Sequence, residues 1–298
     1  MIVMNNSLKN KTILITGATS GFGLACAELC ATSGARVVAV GRRKERLEAL
    51  QQKFSSPSPL VGEGGMGGLS PRSQASSALI EPPLPNPPPQ GGREYSPIHT
   101  LLLDVRDNAA VVAAVESLPK DFSKVDILIN NAGLALGTGS FETQTMDDLE
   151  QMVDTNIKGL MYCTHALLPG MIERNSGHIV NIGSVAGSYP YPGGNAYGGT
   201  KAFVERFSLN LRADLLGKNI RVTNIEPGMA ETEFSLVRFH GDSDKSKNVY
   251  AGVQPLTGED VAESILWCIT RPAHVNINRL ELMPTQQAFG PFGVNRKS

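Results

Sequence analysis

The chain has 298 residues, 41% of them hydrophobic, and a formal charge of −1 at pH 7. That is enough apolar material for one large core or two small ones, and a near-neutral balance without a basic block argues against nucleic acid as the main partner. No apolar run approaches the ~20 residues of a membrane helix, Met1-Ile2-Val3-Met4-Asn5-Asn6 lacks the basic-then-apolar order of a signal peptide, and Cys26, Cys30, Cys163 and Cys268 form no C-x-x-C, so reduced thiols in a cytoplasmic protein are expected rather than zinc or a disulfide frame.

Strand-like and helix-like segments alternate along the chain. Lys11 to Ile15 is a short, β-branched apolar run that reads as a buried strand. Thr16-Gly17-Ala18-Thr19-Ser20-Gly21-Phe22-Gly23 follows, and Leu24 to Ser33 is alanine- and leucine-rich and helical. A second strand covers Arg36 to Val40 and a helix Lys44 to Lys53. From Ser55 to Pro97 the alternation breaks, and ten of the nineteen prolines fall there among glycines and serines. Such a composition cannot bury enough apolar surface to offset its ordering entropy. The stretch sits where a short helix-to-strand loop belongs and reads as a tolerated insertion; a proline-rich ligand for an SH3-like partner is the functional alternative. Within it, Gly62-Glu63-Gly64-Gly65-Met66-Gly67 fits G-x-G-x-x-G but has no strand before it and no helix after it, so it is not read as a nucleotide site.

Beyond the insertion the spacing predicts a strand over Ile98 to Leu103, a helix over Ala109 to Ser117 and a strand over Val125 to Ile129. A long helical tract runs from Met146 to Arg174. A strand at His178 to Ile182, a helix at Ala196 to Leu216, a strand at Ile220 to Ile225, a helix at Ala262 to Thr270 and a last strand at Asn276 to Leu282 complete the series. Alternation of this kind implies a doubly wound, mostly parallel sheet of about seven strands with helices on both faces. The chain is then one dinucleotide-binding catalytic domain over 1–298, interrupted at about 55–97. In such sheets ligands bind beyond the carboxyl ends of the strands. Thr16, Gly41, Asp104, Asn130, Ser184 and Pro227 all fall at or just past those ends.

Two groups of residues carry chemistry. The first is the strand–glycine turn–helix at the start. Glycines let the backbone approach a pyrophosphate, and a helix N-terminus offers unpaired N–H groups. The second is Tyr197 and Lys201, four apart on one helix face, with Ser184 thirteen residues earlier. A phenol beside a cation is lowered from its free value near ~10 and can then exchange a proton with an alcohol or carbonyl. After the second strand comes Val40-Gly41-Arg42-Arg43. No carboxylate is there to bond a ribose 2′-hydroxyl, and two arginines can take a 2′-phosphate, so NADP is expected over NAD.

Together these residues resemble the short-chain dehydrogenase/reductase family over nearly the whole chain apart from the insertion. The family's TGxxxGxG is Thr16 to Gly23, its Asn-Asn-Ala-Gly is Asn130 to Gly133, its helical asparagine is Asn156, its serine is Ser184, its YxxxK is Tyr197 and Lys201, and its Pro-Gly is Pro227-Gly228 with Thr232 after it. Finer matches at Asn130 to Gly137, Tyr191 to Tyr197, Glu226 to Gly228, Thr232 to Phe239 and Pro272 to Asn278 resemble the NADP-dependent 3-hydroxy acid dehydrogenases that act on L-allo-threonine, serine and small 3-hydroxy acids.

The resemblance implies roles. Tyr197 is the general base for oxidation and the acid for reduction, Lys201 lowers its pKa and holds the nicotinamide ribose, Ser184 bonds the substrate oxygen, and Asn156 holds a water linking Lys201 to solvent. NADP contacts fall to Gly17, Thr19, Ser20, Gly21, Phe22, Gly23, Arg42, Arg43, Asp104, Val105, Asn131, Ala132, Gly133, Tyr197, Lys201, Pro227, Gly228 and Thr232. Ser184 and Tyr197 face the substrate, and Arg238 in the segment after the Pro-Gly motif is the candidate for its carboxylate. The five histidines show no metal spacing, so no metal is expected. A homotetramer follows from family analogy alone. Two rival classes stay in view. A serine hydrolase lacks its G-x-S-x-G, because residue 182 is Ile. A non-catalytic NADP-binding scaffold would usually have lost the tyrosine or the lysine. Another small carbonyl substrate for the same chemistry is the third alternative.

Overall fold

A computed structural model describes residues 8–55, 96–290 and 294. Most of the proline-rich stretch therefore lies outside the described residues. The centre is a seven-stranded parallel sheet. Its strands are β1 (Thr12–Thr16), β2 (Arg36–Gly41), β3 (Ile98–Leu102), β4 (Ile127–Asn130), β5 (Gly177–Ile182), β6 (Ile220–Pro227) and β7 (Arg279–Leu282). Their order is β3-β2-β1-β4-β5-β6-β7, so the chain reverses its direction of travel between β1 and β4. A crevice opens at such a switch point, beyond the strand ends.

The central strands are buried on both sides because helices cover both. Alternate side chains point to opposite faces. Ile13 and Ile15, Val37 and Ala39, and Ile127 and Ile129 enter one buried cluster with Cys26, Cys30, Leu47, Leu50, Val261 and Ile265. Leu14, Val38, Val40 and Leu128 enter the other, with Val111, Cys163, Leu167 and Leu211. The first face is thus roofed by α1 (Gly21–Thr32), α2 (Lys44–Ser55) and α9 (Gly258–Ile269), and the second by α3 (Asn108–Glu116), α5 (Leu160–Glu173) and α6 (Asn195–Asp214). All four cysteines are buried and free, and burial pushes every thiol pKa upward. Among the described residues no helix is long and apolar enough to cross a membrane, and no group of three or more His, Cys, Asp or Glu could hold a metal ion.

Three segments differ from the reading of the sequence. The tract expected as one helix is α4 (Met146–Val153), a π-helical turn over Asp154–Gly159, and α5. A π turn leaves no trace in apolar spacing, and such turns cluster at functional sites; this one carries Asn156. The last strand begins at Arg279 rather than Asn276. The Asn276 side-chain amide takes over the ladder there, accepting from Val222 N–H at 2.8 Å and donating to Val222 C=O at 2.9 Å. Two short helices, α7 (Glu233–Arg238) and α8 (Ser243–Asn248), follow β6. At six residues each they are too short to show a helical period.

Candidate active site

The carboxyl ends of the strands open into a cavity of about 600 Å³. At one end lies the glycine turn. Gly17 has φ +69° and Gly21 φ +52°, which only glycine adopts without strain. A Cβ on Gly17 would come within 2.9 Å of the Asn131 amide and 3.0 Å of the Ala132 Cα. Gly23 does not line the cavity; a Cβ there would collide with the Gly17 carbonyl, so its role is to let α1 close onto the turn. The first turn of α1 holds no carboxylate, and Ser20 makes no side-chain cap. Its N–H groups are available to an anion, as a dinucleotide phosphate requires. The turn is braced from β4: Thr16 Oγ1 accepts from Asn131 N–H at 3.0 Å and Ala132 N–H at 2.9 Å, and the Asn131 amide donates to Thr16 C=O at 2.9 Å.

Beside the turn is a cationic corner. Arg43 donates to Thr19 Oγ1 at 3.0 Å, to Ser20 Oγ at 2.6 Å and to Glu233 at 2.7 Å. Arg46, in the first turn of α2, pairs with the other oxygen of Glu233 at 2.6 Å and donates to Thr19 C=O at 3.2 Å. Arg42 lines the cavity as well and lies 3.6 Å from Asp104 on the adjoining wall. Asp104 is held below the usual carboxylate range first by its hydrogen bond to Arg106. Both arginines expected to take a 2′-phosphate line the cavity: Arg43 bonds the hydroxyls of the turn, and Arg42 stands beside Asp104. A further cation beside Arg43 is Arg46, which the sequence reading missed; its position three residues on, in the first turn of α2, was the available signal. Asp104, Val105, Ala132, Gly133, Pro227, Gly228 and Thr232 line the cavity between this corner and the far end, as does Phe22. Thr232 caps α7 through Phe234 N–H at 3.2 Å and lies 3.2 Å from where a Gly21 Cβ would stand. The turn, the helix start and the arginine corner fit a dinucleotide with a 2′-phosphate.

The far end holds Ser184, Tyr197 and Lys201. Ser184 sits where β5 gives way to a 3-10 turn and accepts from Ala186 N–H at 3.1 Å. Lys201 is buried, donates to Ile182 C=O at 2.7 Å, and lies 5.8 Å from the centre of the Tyr197 ring. Burial pulls its pKa down to about 8. Burial pushes Tyr197 up to about 12, and the Ser184 hydroxyl and the Arg238 guanidinium act to lower it, with Tyr191 acting against them. The Lys201 ammonium is anchored on the Ile182 carbonyl. The Asn156 side chain accepts from Leu134 N–H at 2.9 Å and donates to Leu134 C=O at 2.8 Å and Thr200 Oγ1 at 3.0 Å. It thereby ties the β4 exit to α6, and its Oδ1 keeps a second lone pair.

Arg238, from α7, reaches over this end. Its guanidinium lies 6.0 Å from the Tyr197 ring centre and 5.5 Å from that of Tyr191. It donates to Tyr191 OH at 3.0 Å and to Gly137 C=O at 3.3 Å. Phe234 packs 5.6 Å from the Tyr197 ring. The arrangement supplies a phenol and a hydroxyl beside a buried ammonium, a guanidinium a few ångströms above, and an apolar wall at Phe234. Tyr191 and Gln287, which accepts from Met229 N–H at 2.7 Å, were not singled out from sequence.

A family profile described as short chain dehydrogenase matches residues 11–60 and 89–241. An NADP-dependent 3-hydroxy acid dehydrogenase YdfG of Salmonella typhi is 46% identical over 285 residues, covering 95% of this chain and 99% of that protein. A serine 3-dehydrogenase of Rhizobium radiobacter is 46% identical over 287 residues, covering 96% and 99%. Among solved structures, the closed form of serine dehydrogenase complexed with NADP+ superposes with a TM-score of 0.79 at 45% identity, covering 96% of this chain and 99% of that one.

Proposed function

The chain belongs to the short-chain dehydrogenase family, and from that premise we propose that it is an NADP-dependent oxidoreductase acting at the 3-hydroxyl or 3-oxo carbon of small 3-hydroxy acids such as serine, L-allo-threonine, 3-hydroxyisobutyrate or 3-hydroxypropionate. The observation that carries the substrate class is the Arg238 guanidinium facing the Tyr197 phenol across the same end of the cavity. A guanidinium fork matches a carboxylate, and a small 3-hydroxy acid carries both a carboxylate for Arg238 and a hydroxyl for Tyr197. The names of the relatives point the same way.

In oxidation the bound coenzyme supplies the hydride acceptor. The protein does the rest. Ser184 holds the substrate oxygen and steadies the charge that develops on it. Tyr197 takes the hydroxyl proton as the carbonyl forms and returns it in reduction. Lys201 fixes the ribose side of the site and places an ammonium near the developing phenolate. Arg238 orients the carboxylate, so that the carbinol carbon rather than the acid end meets the nicotinamide. Thr19, Ser20, Arg42, Arg43 and Arg46 hold the 2′-phosphate. We read the assembly as a homotetramer by family analogy and the compartment as cytoplasmic; light scattering on the purified protein tests the first.

A substrate panel with NADP and NAD, following absorbance of the reduced nicotinamide, tests the whole reading. Oxidation of 3-hydroxy acids with NADP is the expected result. Activity confined to uncharged alcohols or sugars would keep the dehydrogenase chemistry and remove the substrate class. No turnover with any carbonyl or alcohol, alongside tight NADP binding, would favour a scaffold.

A further inference from the structure

Two cations of the coenzyme corner are already occupied by an anion of the chain itself. Glu233 stands at the start of α7, 190 residues from Arg43 in sequence, and offers one oxygen to each arginine at 2.7 and 2.6 Å. Its side chain is 37% exposed, so this is not a core ion pair. It is a bidentate bridge at the mouth of the cavity, with Thr19 and Ser20 hydroxyls on the same guanidinium. Burial pulls the Glu233 carboxyl upward, but hydrogen bonds from Arg43 and Arg46 outweigh that and hold it below the usual range, so it is ionised at neutral pH. Charge-assisted bonds of this geometry are also what a phosphate monoester makes with arginines. A doubly charged phosphate cannot share both guanidinium forks with a carboxylate at bonding distance without like-charge repulsion.

We propose that Glu233 is an internal counter-anion that holds the 2′-phosphate corner and is exchanged for the coenzyme's 2′-phosphate on binding. The proposal rests on reading the Thr19–Ser20–Arg43–Arg46 corner as the 2′-phosphate site. Two consequences follow from where Glu233 sits. It competes with the coenzyme, so it lowers NADP affinity while leaving affinity for the unphosphorylated nucleotide untouched. And it belongs to α7, the helix whose other end carries Arg238 over the substrate position. Exchange of the anion therefore releases the near end of that helix when a 2′-phosphate arrives, and NAD, which lacks one, leaves the bridge in place. Discrimination between the coenzymes would then lie in α7, over the substrate position, as well as in the corner.

The test uses nucleotide fragments, so that it does not depend on turnover. Binding of 2′,5′-ADP and of 5′-AMP to the wild type and to Glu233→Gln is measured by calorimetry. The substitution should tighten 2′,5′-ADP roughly fivefold, the upper range for a partly exposed charge pair, and leave 5′-AMP unchanged. Unchanged or weaker binding of 2′,5′-ADP to Glu233→Gln overturns the proposal; damage to the fold would weaken both ligands together. If the wild type itself binds the two fragments equally, the corner is not a 2′-phosphate site and the underlying reading fails instead. Hydrogen exchange over residues 233–239 gives the second measurement. It should rise when 2′,5′-ADP is added to the wild type and be raised beforehand in Glu233→Gln. An unchanged or reduced exchange in the wild type rejects the coupling to α7.

Discussion

At the scale of residues, the site depends on how one phenol is surrounded. Tyr197→Phe should lower turnover by at least ~10²-fold, the usual size of a general acid–base effect, with the circular dichroism spectrum retained; a folded variant at near-wild-type turnover would remove the proton-transfer role. Arg238 makes a sharper case, because it stands beside Tyr197 and is the residue proposed for the substrate carboxylate. Arg238→Ala should raise KM for 3-hydroxyisobutyrate far more than for an uncharged alcohol. It should also move the rising limb of the oxidation pH profile to higher pH. The sign follows from the charge: a guanidinium near Tyr197 favours phenolate, so removing it raises the phenol pKa, and the base form that oxidation needs appears later. Equal effects on charged and neutral substrates, with an unmoved limb, would place Arg238 outside the site. What sequence made legible here was the i, i+4 pair and the spacing to Ser184. The direction of the Lys201 ammonium was not legible, because a main-chain carbonyl at Ile182 decides it. The Glu233 bridge was hidden for a similar reason: its partners meet only after the sheet brings α2 and α7 together.

At the scale of elements, the strands were legible as apolar runs buried on both faces, and the glycine turn by its context between β1 and α1. The short helices after β6 and the π turn were not, since neither has an apolar period. Within the turn, Gly23 has a purely steric task. Gly23→Ala drives a methyl into the Gly17 carbonyl, so α1 must back away from the turn. Overpacking of that kind costs about 1–3 kcal/mol, and a thermal melt should show it. An NADPH fluorescence titration should show the larger loss, because the displaced α1 N–H groups no longer meet the phosphate. Tight NADPH binding in Gly23→Ala would mean the helix start is not part of the coenzyme site.

At the scale of the whole molecule, two features bear on stability and tolerance. Glu226 on β6 is buried, accepts from Asn224 at 2.5 Å, and shares Arg279 with Glu205 and Glu281. Burial, set partly against Arg279, pushes it from 4.5 to about 7. A carboxyl raised in the folded state adds stability below its unfolded pKa, and that contribution is lost as pH climbs through the folded value. Between about pH 4.5 and 7 the wild type should therefore lose up to about 3 kcal/mol relative to Glu226→Gln, read by urea titrations across that range; a constant difference would refute it. The proline-rich stretch was legible from composition, and the family profile skips 61–88. Replacing Ser55 to Pro97 by a short loop should leave NADP binding and turnover intact, since α2 ends and β3 begins at the edge of the sheet opposite the strand ends that form the site; loss of NADP binding in a folded deletion would give the stretch a function. The four buried thiols carry a separate consequence. Cys26, Cys30 and Cys268 lie under the helices of one face and Cys163 under those of the other. A maleimide in solution meets none of them until a layer opens, so the modification rate at each position, read by mass spectrometry, is a built-in clock that times the opening of the two halves of the protein separately.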